Sequence, residues 1–151
     1  MLIGFLYTED QKLDGERLMD GTAQIHALVA PWSQAILERD WDALLSICTE
    51  DIVFDPPGEP QVPPDELRTW LDEFPVITAF NWGLDQVEMS GNMATGFGHG
   101  SMTVKVEGEK VAMTIKFAPM FRRSEDGSWR FSRVIWNQNE PSGPRLRPFL
   151  A

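Results

Sequence analysis

Three short turn signals punctuate the second half of the chain, and they constrain its fold more than any other feature. Ser90-Gly91-Asn92, Glu107-Gly108-Glu109 and Ser124-Glu125-Asp126-Gly127 stand between apolar-rich runs. Gly and Asn tolerate the left-handed backbone that tight reversals need, so each signal reads as a hairpin turn. The runs between them cover about 77–89, 93–106, from 111 up to the turn at 124–127, and 128–139. Val111, Met113, Ile115 and Phe117 alternate with Ala112, Thr114 and Lys116, which is the period of a strand with one buried face. Pro119 cannot donate to a ladder and marks a bulge or an edge. Four long strands joined by hairpins make an antiparallel sheet.

The first half has the other period. Ile25, Leu28, Val29, Trp32 and Ile36 fall on one stripe of a helix over 22–39, in which Pro31 marks a kink or a late start. Asp40 is a good N-cap for a second helix that turns Trp41, Leu44, Leu45 and Cys48 inward. Ile52–Phe54 makes a short strand, and 56–64 is a turn-rich stretch. Pro63-Pro64-Asp65-Glu66 opens a third helix whose buried face is Leu67, Trp70, Leu71 and Phe74. Helices segregated from an antiparallel sheet give an α+β fold: three N-terminal helices packed on a curved sheet that forms a cone open at one end. The cone domain spans 21–140. Residues 1–20 read as an N-terminal arm and the Pro-rich 141–151 as an extended tail.

A chain of 151 residues with six Trp can bury a core without staples. Its net charge of −10 disfavours nucleic acid and anionic membranes, which need clustered Lys and Arg. Cys48 stands alone, so it reads as a buried structural thiol, with no intrachain disulfide. The apolar opening MLIGFLY is short and runs into Glu9 and Asp10, unlike a signal peptide or a membrane span. A cytoplasmic location is the resulting expectation. Two His without ligand spacing make no zinc site, and no phosphate loop is present, so neither metal nor cofactor is expected.

Two runs carry a family likeness. PWSQAILERDWDALLSICTEDIVFDPPGEP (31–60) and KFAPMFRRSEDGSWRFSRVIWNQNEP (116–141) together resemble the nuclear transport factor two-like superfamily, nearest its SnoaL-like and ketosteroid-isomerase-like domains. The likeness spans about 22–141. It implies a conical, cystatin-like barrel with an internal pocket for an apolar small molecule, in a homodimer packed through the sheets. In ketosteroid isomerases the general base lies in an Asp-Pro-Val-Gly segment, and Asp55-Pro56-Pro57-Gly58 is similar. The Asp51 to Asp55 spacing is one residue shorter than in that family, and a one-residue slip turns a strand side chain to the opposite face. The Tyr that donates to the forming oxyanion is matched by Trp32, but the donor Asp falls near Pro119, which donates nothing. Loss of such a donor typically costs about a hundredfold in rate, which argues against a true ketosteroid isomerase.

The candidate site residues follow. Asp55 precedes a proline, so its backbone is extended and its direction largely fixed: it either caps a turn or points into a pocket as a base. His99, in Gly96-Phe97-Gly98-His99-Gly100, is a proton-transfer group or a hydrogen-bonded sheet histidine. Lys116 is an anion clamp or base, or else a solvent or interface lysine. Asn137 holds a ligand carbonyl or satisfies backbone. Trp32, Trp70, Trp82, Trp129 and Trp136 form an aromatic cage or simply core, and Trp82, beside Asn81 and Gly83, is the one best placed to touch a ligand or partner. The reading is a small-molecule-binding domain with cofactor-independent isomerase, cyclase or lyase chemistry, in which Asp55 shuttles the proton and His99, Trp32 and Asn137 polarise or position the substrate. The alternative is a non-catalytic ligand-binding or scaffold module.

Overall fold

The protein is described from a computed structural model, which covers residues 21–139. After a helical stretch at 21–26 the chain turns at 27–28 and restarts as α1, Val29–Glu38. The restart resolves Pro31: it sits third in the helix, where a backbone N–H has no intrahelical partner to lose. α1 ends at Arg39, whose φ of 54° is left-handed. Asp40 then caps α2, Trp41–Ser46, accepting the Ala43 N–H at 3.0 Å. α3 is Pro64–Glu73, with Pro at its first position and Asp65 and Glu66 in the first turn, where the helix dipole favours carboxylates.

The strands are β1 (Cys48–Asp55), β2 (Val76–Ser90), β3 (Met93–Val106), β4 (Glu109–Phe117), β5 (Met120–Arg123) and β6 (Trp129–Gln138). They form one six-stranded sheet in the order β1-β6-β4-β3-β2, with β5 pairing both β3 and β6. Two details depart from the sequence reading. Pro119 ends β4 and separates β5 from it, so the expected third strand is two strands. Cys48 opens β1 and is not on α2, because that helix stops at Ser46; β1 is accordingly longer than 52–54 and takes in Glu50 and Asp51. β1 runs parallel to β6, so the otherwise antiparallel sheet is mixed.

The sheet curves where backbones crowd. A Cβ on Gly98 would lie 2.1 Å from the Gly83 carbonyl oxygen, and one on Gly100 would lie 2.3 Å from that of Asn81. The β2–β3 ladder also shifts register between Ile77 and Ala79 and between Leu84 and Gln86, and such bulges bend and twist a strand. The curved sheet and the helices enclose a core with two parts. One is solid: Ile25, Leu44, Phe121 and Phe131 are almost fully buried, and the last two rings are 4.7 Å apart. The other, beyond Trp32, is hollow. Residues 1–20 and 140–151, which contain the expected arm and tail, lie outside the described residues.

Candidate functional site: an aromatic cavity in the cone

The hollow is walled by all three helices and by β1, β2, β3, β4 and β6. It holds about 530 Å³ of empty space, its open mouth included. Four Trp (Trp32, Trp41, Trp70, Trp136) and four Phe (Phe54, Phe74, Phe80, Phe117) dominate the lining. Phe54 is the hub: its ring centroid is 5.9 Å from those of Trp32 and Trp136 and 5.8 Å from that of Trp70. The rings meet tilted or edge-on, the arrangements that the aromatic quadrupole favours.

Among the described residues, one charged side chain lies in this wall. Arg39 donates to the carbonyls of Leu71, Asp72 and Phe74 at 3.3, 2.9 and 3.2 Å, and its guanidinium sits 5.1 Å from the Trp41 ring. The left-handed backbone at Arg39 aims the side chain at the end of α3, where the helix runs out of backbone donors; the Leu71 carbonyl also accepts the Phe74 N–H at 3.2 Å. Trp41 donates to Asp72 Oδ1 at 2.8 Å and Trp70 to Glu59 Oε1 at 3.1 Å, so side-chain bonds also fasten α2 and the 56–63 segment to α3.

Of the expected site residues, Trp32 lines the cavity; Asp55, His99, Trp82, Lys116 and Asn137 do not. Strand alternation explains Asp55. Phe54 is buried and faces the hollow, so its neighbour faces outward. There Arg133 Nε lies 3.3 Å from Asp55 Oδ2, and Gln61 donates to Oδ1 at 3.2 Å. The expectation that the proline-fixed backbone aims Asp55 into the cone is thus corrected: the one-residue slip puts an aromatic ring where the carboxylate was expected. His99 lies on the outer face with its side chain 73% exposed, and its Nδ1 is 2.6 Å from Asp85 Oδ2. It pairs across strands with Lys116, which pairs with Asn137, and all three are exposed in one row outside the sheet. Trp82 is buried close by, donating to Ser33 Oγ at 2.9 Å, with its ring 5.1 Å from Phe117.

Sequence reasoning passed over Arg39, Phe80, Met102, Phe117 and Val134 in the lining. Parity could have found Phe117, which sits on the apolar face of β4. It could not have found Val134 and Trp136. β6 buries Trp129 and Phe131, then Val134 and Trp136, because a bulge at 132–133 switches the inward parity.

The SnoaL-like domain family model matches residues 14–132. The chain belongs to the SnoaL-like domain family. Solved structures share the fold of this SnoaL-like domain. A ketosteroid isomerase-like protein from Erwinia carotovora atroseptica is 24% identical, covering 79% of this chain and 96% of its own, with a TM-score of 0.68. An NTF2-like protein with a cystatin-like fold from Novosphingobium aromaticivorans is 18% identical, with 91% and 94% covered and a TM-score of 0.70. A LinA-type3 hexachlorocyclohexane dehydrochlorinase from Novosphingobium barchaimii is 14% identical, with 89% and 99% covered and a TM-score of 0.73. No curated protein matches. No helix among the described residues is long and apolar enough to cross a membrane.

Proposed function

We propose that this SnoaL-like domain binds a neutral, apolar small molecule inside its cone. The observation that carries the reading is the lining: eight aromatic rings, with the charge of Arg39 turned to backbone carbonyls. An apolar concavity with few polar groups suits a lipophilic guest. The dehydrochlorinase neighbour supports the choice of guest, since hexachlorocyclohexane is an uncharged ring. Calorimetric titration with 1-tetralone, a small neutral two-ring ketone, tests it. Saturable binding is expected, and it should be lost in Val134→Phe, which fills the hollow, while the melting temperature of that variant stays close to the parent's. Binding that survives Val134→Phe would place the guest elsewhere.

Binding is favoured over acid–base turnover because, among the described residues, the lining includes neither carboxylate nor imidazole. An isomerase, cyclase or lyase that uses Asp55 and His99 needs those groups at the guest. Product analysis of bound ketone separates the readings: no turnover by the parent fits a binding module, and turnover by the parent that is lost in Asp55→Asn fits the acid–base enzyme. We also propose a homodimer through the outer sheet face. Phe97 and Ile135 are exposed there at 49% and 36%, one row from His99, Lys116 and Asn137.

A further inference from the structure

A second concavity lies outside the cone, between α3 and the 59–62 segment. Val62 and Trp70, both buried, form its floor. Glu59, Asp65, Glu66 and Glu73 stand around it, and the described lining includes no Lys or Arg. It holds about 790 Å³ of empty space, its open side included, which suits a length of chain better than a single ion. No three acids among the described residues converge as metal ligands do, so the charges favour a partner whose own cations are spaced apart. The topology brings one end of the chain here. β1 and β6 are parallel, so both leave the sheet at the same end. Val134 pairs with Phe54, and Phe54 exchanges two backbone bonds with Val62, at 2.8 and 3.2 Å. Two strand spacings therefore put Val62 about 10 Å from β6 at Val134. Asn139, where the described residues end, is further along the same line of β6 and so lies roughly 20 Å from the groove floor.

We propose that this groove is a docking site for the chain's own C-terminal segment, 141–151. In a chain of net charge −10 that segment carries Arg145 and Arg147 and no acid. Arg147 precedes a proline, which favours extended backbone, and an extended chain turns residues two apart to the same side. With both guanidiniums turned to the acidic rim, Leu146 between them turns to the floor of Val62 and Trp70. The reach is sufficient: from Asn139 an extended chain spans about 20 Å to Arg145 and about 27 Å to Arg147. Trp70 is shared with the cone, so the docked segment backs one wall of the hollow, whatever the hollow holds.

Paramagnetic NMR on the full chain tests this. Ala151→Cys carrying a nitroxide puts a spin label on the segment, while the buried Cys48 stays unmodified. Amide signals of 59–73 are expected to lose intensity relative to the reduced label, and those of the β5–β6 turn at 124–128, at the other end of β6, to keep theirs. Arg145→Glu with Arg147→Glu should abolish the loss at 59–73, as should about 1 M salt, where the screening length is about 3 Å. Adding Glu66→Lys and Glu73→Lys to the arginine reversal should restore it. A loss that survives the arginine reversal, or that never reaches 59–73, overturns the assignment. So does a loss seen only when a spin-labelled molecule is mixed with a ¹⁵N-labelled one that carries no nitroxide, because the groove then takes a second copy's segment.

Discussion

Cys48 shows what a buried ionisable group does to a folded chain. Its thiol donates to the Leu44 carbonyl at 3.2 Å, and burial pushes its pKa from about 9 up to about 12. The unfolded chain therefore loses this proton at lower pH than the native one. From pH 9 to 12 the unfolded state binds fewer protons, so stability falls as pH rises through that window. Cys48→Ala should flatten this alkaline decline in denaturant titrations, and native Cys48 should resist alkylation at pH 8 until denaturant is added. The thiol's burial was legible in the sequence, because a lone apolar-flanked Cys has few other uses. Its strand was not, since Leu44, Leu45 and Cys48 keep helical spacing past the point where α2 stops. Asp55 shows the opposite limit. Its extended backbone was legible from Pro56, but the face it takes depends on β1 register, which no local residue encodes.

Among the elements, helices and hairpins were readable because caps and turn residues act locally. Asp40, Pro64 and the three turns all sit where their chemistry puts them. Partnerships between distant elements were not readable: the parallel β1–β6 pairing, the β6 bulge, and the hold of Arg39 on α3. That hold is testable. Arg39→Ala removes three bonds from a charged donor to carbonyls at the end of α3, and should cost about 1–3 kcal/mol in denaturant unfolding. The β2–β3 crowding makes a sharper case. Gly98→Ala drives a methyl into the Gly83 carbonyl, a backbone atom that cannot step aside as a side chain would. We expect a loss of about 3 kcal/mol, near the top of the usual overpacking range, seen as a melting temperature lower by about 10 °C.

For the molecule as a whole, the cone followed from the order of helices and hairpins, whereas the content of its hollow depended on side-chain parity across five strands. The sheet has an aromatic inside and a polar outside; His99, Lys116 and Asn137 fell on the exposed outer face, and Asp55 fell outside the hollow, half-buried beside Arg133. If that outside meets a second copy, Phe97→Glu should convert dimer to monomer in light scattering, while 1-tetralone affinity changes by less than about twofold, as expected for separate sites. A monomeric parent would remove the dimer and leave the hollow untouched. The consequence reaches into evolution. Because adjacent positions on a strand serve opposite faces, such a lineage can drift along two uncoupled axes, altering its guest by mutating one parity and its neighbours by mutating the other, with little epistasis between them.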